Sequence, residues 1–506
     1  MEVFMTPTEA YEQLRSRSKD MSHLGSALAT LHWDQRTNIP VKGHAHRAEV
    51  LSSLAGMLHK MATDPAIGDL LAAVEGTELA REPLSVEAVN IREWRRWHDR
   101  AVKIPQELAV NLAKAAAEGQ AAWEQARPAN DWPRFEPHLE RIVELKREQA
   151  DALGYEDEPY DALLDAYEQG ETAKGLEPTF AELIPSLVDL LNRIKGSSRR
   201  PDESLKHRGF PIPQQEVFAL MVAERMGYDL SAGRLDVSAH PFTTAIGPAD
   251  VRITTRYTET YFNEAFFAVI HETGHALYHQ GLPVEHWGTP FCGPISLGIN
   301  ESQSRMWENM VARSLSFWKH FFPEAQKRFE SLRDVFLEDF YFSVNEVTPS
   351  LIRVEADEVT YNLHILVRFQ LELAICRGDL TAKDLPLAWN EKMQAYLGLT
   401  PPDYSQGVMQ DVHWSGGAIG YFPTYTLGNL YAAQFYAKAQ EELGNLESLV
   451  EAGELLPLRD WLRRKIHSQG RRYLPKDLAR AVTGESLNPR YLIEYLNRKY
   501  GDLYGI

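Results

Sequence analysis

Phe266-Phe267-Ala268-Val269-Ile270-His271-Glu272-Thr273-Gly274-His275-Ala276-Leu277-Tyr278 reads as one helix that carries chemistry on one face. The apolar run at its start, Ala265 to Ile270, lies between Glu264 and His271 and is far shorter than the ~20 residues of a membrane span. His271 and His275 are four residues apart, so on a helix their imidazoles rise from the same face and can share one metal ion. Glu272 follows the first histidine, where its carboxylate can reach a water on the open side of that metal. Zinc with three protein ligands keeps a fourth position for water and lowers the pKa of that water to about 7. A nearby carboxylate then takes the proton as the water attacks a carbonyl. The plain alternative is two histidines on an ordinary helix. Gly274 disfavours the helix interior by ~1 kcal/mol relative to alanine. A close approach by another helix or by substrate is therefore expected there.

The flanking sequence is mostly helical. Thr6-Pro7-Thr8-Glu9 is a capping box with proline at the first helical position, and Tyr11, Leu14, Met21, Leu24, Leu28 and Leu31 follow at helical spacing. Thr348-Pro349 predicts a further helix start, with Ile352, Val359, Leu363, Leu366, Phe369 and Leu373 leading to a stop near Gly378. Residues 234–257 differ: apolar and polar residues alternate around a Gly-Pro pair, which predicts two or three short strands. Repeats, low-complexity tracts and long Gly/Ser linkers are absent from the sequence, so residues 1–506 are expected to form one domain.

Composition narrows the function classes. The chain has 53 basic and 71 acidic residues, a net charge of −18, which repels phosphate backbones and anionic lipids. Nucleic-acid and membrane partners are not expected. Cys292 and Cys376 are too few for a disulfide framework, and residues 1–10 lack the layout of a signal peptide. A cytoplasmic protein is the expectation.

Two histidines need a third protein ligand. His279 lies on the same helix, but eight residues beyond His271 it is ~12 Å along the axis at 1.5 Å per residue. It also misses the metzincin spacing, in which the third histidine comes six residues after the second. A later helix is physically better placed. Asn300-Glu301-Ser302-Gln303-Ser304-Arg305 opens a segment with Met306 and Met310 at helical spacing, and Glu301 would complete a His₂Glu set of the kind known in catalytic zinc sites.

Motifs spread along the chain resemble those of the carboxypeptidase Taq family of thermostable metallocarboxypeptidases. They are His32-Trp33-Asp34 with Thr37 and Pro40, Arg47-Ala48-Glu49, His240-Pro241-Phe242, Asp250-Val251-Arg252-Ile253-Thr254, and the His271 to His275 stretch. Glu301-Ser302-Gln303, Ile352-Arg353-Val354-Glu355-Ala356-Asp357 and Gln410-Asp411-Val412-His413-Trp414 follow in order. The resemblance implies a mainly α fold: a large helical single domain with a deep active-site groove and a small antiparallel sheet. It also implies a homodimer that uses one zinc ion, or cobalt, to release single residues from peptide C-termini with broad specificity. Four residues after Glu301, where many zinc peptidases have aspartate, this chain has Arg305, so the groups that orient His271 and His275 stay open.

An exopeptidase must read a terminal carboxylate, and a planar guanidinium does so bidentately. Arg353 is the first candidate, with an ion pair to Asp357 as the structural alternative. Arg252 is the rival clamp, sharing a strand face with Asp250 and Thr254, and His240 is a further substrate-binding candidate in the same region. In the glycine-rich stretch from Gly407 to Pro423, His413 and Tyr421 are the candidate donors to the oxyanion that forms as water attacks. Glu272 is the candidate base, and His271, His275 and Glu301 are the candidate metal ligands. An endo-acting metallo-oligopeptidase with the same chemistry is one alternative. A non-catalytic peptide-binding helical protein with a structural metal is the other, and a general base beside an open metal position argues against it.

Overall fold

Thr6 caps the first helix, Pro7–Thr37, as its sequence predicts: Glu9 N–H donates to the Thr6 hydroxyl, and Thr6 N–H donates to Glu9 Oε2 at 2.8 Å. The computed structural model describes residues 5–260 and 262–506. Helices dominate, and they enclose two cores. Tyr11 and Leu14 pack with Ile67, Leu71, Val74 and Trp94 in a small N-terminal core, while Met21, Leu24, Leu28 and Leu31 are only half-buried. A second, continuous core runs from Leu108 to Tyr504 and takes in the central helices and strand residues Val251 and Ile253.

At its centre lie helices buried on nearly all sides. Thr360–Arg377 and Pro423–Leu443 carry apolar and polar buried residues around their whole circumference, as expected of helices with other helices on every face. The histidine helix, Phe262–Gln280, is anchored at its N-terminal end by an aromatic cluster. Phe262 stacks on Phe266 at 5.0 Å, and Phe218 and Phe329 approach the pair at 5.3 to 6.1 Å. Large rings bury much area and have few rotamers, so this cluster fixes the helix axis before any metal is considered.

The helix expected from Pro349 starts later, at Thr360, and ends at Gly378, which has the left-handed conformation of a helix stop. The reason is Asp357. Its carboxylate accepts the N–H groups of Val359 and Thr360 at 3.0 and 2.9 Å and that of Thr348 at 3.1 Å. A carboxylate that grips its own downstream amides caps a helix there and competes with helix upstream. Arg353 is left in a short 3₁₀ turn, Arg353–Glu355.

Strands β1 (Gly233–Val237), β2 (Thr243–Gly247) and β3 (Asp250–Thr255) form the small sheet in the order β1-β3-β2. It is mixed, not wholly antiparallel as expected: β2 pairs antiparallel with β3, but β1 pairs parallel with it. The connection from β1 to β2 crosses the end of β3, tied down by Thr254. The Thr254 hydroxyl lies 2.7 Å from the Ser238 hydroxyl and accepts Phe242 N–H at 3.0 Å. Pro241 in that connection has no N–H to pair. Thr243 and Ile253 are register partners and share one sheet face, while Thr244 and Arg252 share the other. Thr243 reaches the histidine helix from the first face. Arg252, from the second, lies over the Trp33 ring at 4.3 Å.

Candidate metal centre

Gly274 is explained by a helix. A side chain there would meet Gln303 O and Ser304 Cα at 2.6 Å, in the helix Leu297–Arg305. From the other side Gly428, in Pro423–Leu443, leaves room for Glu301: a Cβ at 428 would lie 2.5 Å from Glu301 Cγ. Such distances are shorter than real side-chain contacts, so both glycines let backbones approach where any larger residue would part them. Glu301 is thereby pressed toward the two histidines.

Glu301 Oε2 lies 3.6 Å from His271 Nε2 and 3.4 Å from His275 Nε2. Tetrahedral zinc with bonds of about 2.0–2.2 Å sets its ligand atoms roughly 3.3–3.6 Å apart, so the three side chains fit one ion with little adjustment. Among the described residues this is the group of His, Cys, Asp or Glu side chains that could hold a metal, and His279 is outside it. The imidazoles keep 18% and 16% exposure, enough for a small molecule to reach the open side.

The groups left open by the sequence are now visible. His271 Nδ1 is 2.9 Å from Glu308 Oε2, and His275 Nδ1 is 3.0 Å from Asn300 Oδ1. Each acceptor holds the proton on Nδ1 and turns the Nε2 lone pair toward Glu301, the tautomer a metal requires. Burial would raise the Glu308 pKa, but Arg305, His271 and Arg313 hold it below the usual carboxylate range. Glu308 lies in a π-helical stretch, Met306–Val311, directly after the Glu301 helix. Arg305 Nε donates to Glu301 Oε1 at 2.7 Å, and its Nη1 lies 3.3 Å from Glu308. Burial works against the Glu301 anion as well; Arg305 and the histidines more than offset it and keep that carboxyl ionised. The arginine that stands where aspartate was expected thus stabilises two carboxylates instead of a histidine.

Glu272 is buried, and its Oε2 accepts the Thr243 hydroxyl at 2.7 Å. Thr243 directly follows His240-Pro241-Phe242, which was the only sequence signal for it. His240 itself is exposed, and its carbonyl accepts the Ser238 hydroxyl at 2.6 Å.

Arg353 is buried and does not pair with Asp357. Its Nε and Nη2 donate to Asp411 Oδ1 at 3.0 and 2.8 Å, and its Nη1 to the Tyr361 hydroxyl at 3.1 Å. Arg368, missed by sequence reasoning, donates from Nε to the other Asp411 oxygen at 2.7 Å. Burial would raise the Asp411 pKa, but these two guanidiniums hold it well below the usual range. One carboxylate between two buried cations leaves a positive charge in excess. The rival, Arg252, is gripped through Nε and Nη2 by both oxygens of Asp250 at 2.7 Å, on the sheet face opposite Thr243.

His413 adjoins this cluster, 3.9 Å from Asp411 Oδ1 and with its ring 5.4 Å from that of Tyr421. Burial pushes its pKa down to about 4, with Asp411 opposing and both arginines adding. It is therefore neutral near pH 7, and its Nδ1 is buried without a hydrogen-bond partner. Tyr421 packs edge-on against Tyr167 at 5.2 Å, and burial raises its phenol pKa.

The family model described as carboxypeptidase Taq (M32) metallopeptidase matches residues 13–500. The chain is 56% identical to thermostable carboxypeptidase 1 of Thermus thermophilus, over 99% of this chain and 100% of that protein. It is 39% identical to carboxypeptidase 1 of Bacillus subtilis, over the full length of both. The crystal structure of the M32 carboxypeptidase from Deinococcus radiodurans superposes with a TM-score of 0.95 at 38% identity, covering 98% of this chain and 100% of that one. No helix among the described residues is long and apolar enough to cross a membrane.

Metal content of purified variants tests the ligand set. His271→Ala, His275→Ala and Glu301→Ala should each lose most bound metal, whereas His279→Ala should keep it. Glu308→Ala should weaken metal binding roughly 10- to 100-fold, the usual effect of removing a group that orients a ligand. Full occupancy in Glu301→Ala would overturn the assignment.

Proposed function

Because the chain belongs to the carboxypeptidase Taq (M32) family of metallopeptidases and is a metallocarboxypeptidase, we propose that it removes single C-terminal residues from peptides by Glu272-assisted attack of water. The observation that carries this reading is the convergence of His271 Nε2 and His275 Nε2 on one oxygen of Glu301, with Glu272 beside them. A zinc ion, or cobalt, held by these three residues would supply Lewis acidity to the scissile carbonyl and lower the pKa of a nearby water.

The chain's own groups account for the remaining roles. Glu272 takes the proton of the attacking water and returns it to the leaving amine, and the Thr243 hydroxyl fixes the aim of its Oε2. His413, neutral near pH 7, donates a ring N–H to the oxyanion, and Tyr421 beside it supplies a phenolic donor. Arg353, in the half-neutralised Arg353–Asp411–Arg368 cluster, attracts the terminal carboxylate of the substrate. The Asp250 pair and the outward sheet face favour Arg353 over Arg252 for this role. Specificity for the released residue is broad, and the enzyme works in the cytoplasm as a homodimer; the family likeness supports all three. Sedimentation velocity tests the last, and a single monomer boundary at micromolar concentration would overturn it.

Glu272→Gln keeps the shape of the side chain but cannot take a proton. Turnover should fall at least about 100-fold while metal content stays normal. A rate near wild type would exclude Glu272 as the base.

The clamp is tested by a cycle with one change in the enzyme and one in the substrate. Amidating the peptide's C-terminus removes a charge-assisted contact of ~1.5–3 kcal/mol, so kcat/KM should drop roughly 10- to 100-fold. Arg353→Ala should lose a similar factor on the free acid and much less on the amide. Equal losses on both substrates would show that Arg353 does not read the carboxylate. If acid and amide were cleaved alike by the wild type, inside the chain, exo-action itself would be excluded.

A further inference from the structure

Tyr361, His364, Arg368 and Glu372 recur every three or four residues along Thr360–Arg377, so they form one stripe on that helix. All four are buried, which is unusual for such groups without a task. Tyr361 accepts from Arg353, and Arg368 donates to Asp411 and to Gln410 Oε1 at 2.8 Å. Glu372 has no link to the metal ligands or to the arginine–aspartate bridge among its hydrogen bonds, yet it is 2% exposed and receives three donors.

Two of those donors lie just inside the candidate oxyanion groups in the chain. Trp414 Nε1–H, one residue after His413, donates to Glu372 Oε1 at 2.7 Å. Gly420 N–H, one residue before Tyr421, donates to Oε2 at 3.1 Å. The third donor, the Tyr160 hydroxyl at 2.8 Å, comes from the core and not from this loop. Gly420 can present its amide because it has φ +87 and no side chain; a Cβ there would lie 2.8 Å from Leu164 N. One carboxylate thus grips both ends of the segment that carries His413 and Tyr421. An amide of the same shape cannot match this, since whichever way it is turned its NH₂ faces a group that only donates, Trp414 Nε1–H or Gly420 N–H.

We propose that Glu372 is a positioning residue that sets the spacing and aim of His413 and Tyr421. This rests on the reading of those two as oxyanion donors. Displacing such donors by about 1 Å can cost 100-fold in rate without touching the groups that bind substrate.

The test compares kcat, KM, metal content and melting temperature in the full-length metal-loaded enzyme. Glu372→Gln should lower kcat 10- to 100-fold, leave KM within about threefold, and keep full metal, because Arg353 and the metal ligands are untouched. Tyr160→Phe removes the donor that is not on the loop. It should lower the melting temperature while holding kcat within about twofold. If Glu372→Gln does not fold, Trp414→Phe, which drops a loop-side donor, is read against Tyr160→Phe in the same way. A kcat within twofold of wild type in Glu372→Gln, or an equal loss in Tyr160→Phe, overturns the inference. His413→Ala and Tyr421→Phe separate the two levels: if both keep wild-type kcat, the oxyanion reading fails and takes this inference with it. If either loses kcat while Glu372→Gln does not, only the positioning role fails.

Discussion

The close passage of three helix backbones at Gly274 and Gly428 is the constraint on which the centre depends. Helices normally pack 8–10 Å apart, at a distance set by the side chains between them. Here the Glu301 helix is wedged where side chains at 274 and 428 would overlap its backbone and Glu301 itself. The glycines disfavour their own helices by about 1 kcal/mol each. In return a short carboxylate side chain spans the gap to two imidazoles and keeps one rotamer. The aromatic cluster at the start of the histidine helix anchors the other side of that gap.

Buried charge runs outward from this point in a continuous relay. Glu301 meets Arg305; Arg305 lies over the Tyr361 ring at 4.3 Å; Tyr361 accepts from Arg353; and Arg353 shares Asp411 with Arg368. Burial of any one of these charges alone would cost several kcal/mol. Together they compensate one another apart from the one positive charge in excess at the Arg353–Asp411–Arg368 end, and removing one member exposes its neighbour. The relay also joins the candidate metal ligand to the candidate carboxylate clamp through side chains in direct contact.

Much of this was legible in the sequence because it follows from spacing. The i, i+4 histidines, the need for a ligand from another helix, and the distance that excludes His279 are consequences of helix geometry. The family motifs supplied Arg353 and His413, and the glycine-rich stretch from Gly407 to Pro423 supplied Tyr421. What stayed hidden depends on register between distant segments. Glu308 and Asn300 face the histidines only because a π-helical stretch and the Gly274 contact bring them there. Thr243 reaches Glu272 through a strand pairing that no local pattern encodes. The false helix start at Pro349 and the parallel strand β1 have one cause. In each, a contact that no local pattern encodes decides the outcome: Asp357 accepts amides that would otherwise continue the helix, and β3 inserts between β1 and β2, which run in opposite directions, so it lies parallel to β1.

The π-helical stretch after Arg305 bears on how this chain can vary over evolutionary time. A π turn accommodates one residue more than an α turn, and such bulges in helices are frequent at functional sites. Deleting a single residue from Met306–Val311 would restore regular α hydrogen bonding, which on local grounds is an improvement. It would leave the flanking turns in register, because the bulge is what absorbs the extra residue, but it would re-aim the residues inside the bulge and carry Glu308 away from His271. Helix regularity and histidine orientation therefore oppose each other within six residues. Insertions and deletions should be purged from this segment even where individual substitutions are accepted, because a change of length cannot be repaired by choosing a different side chain.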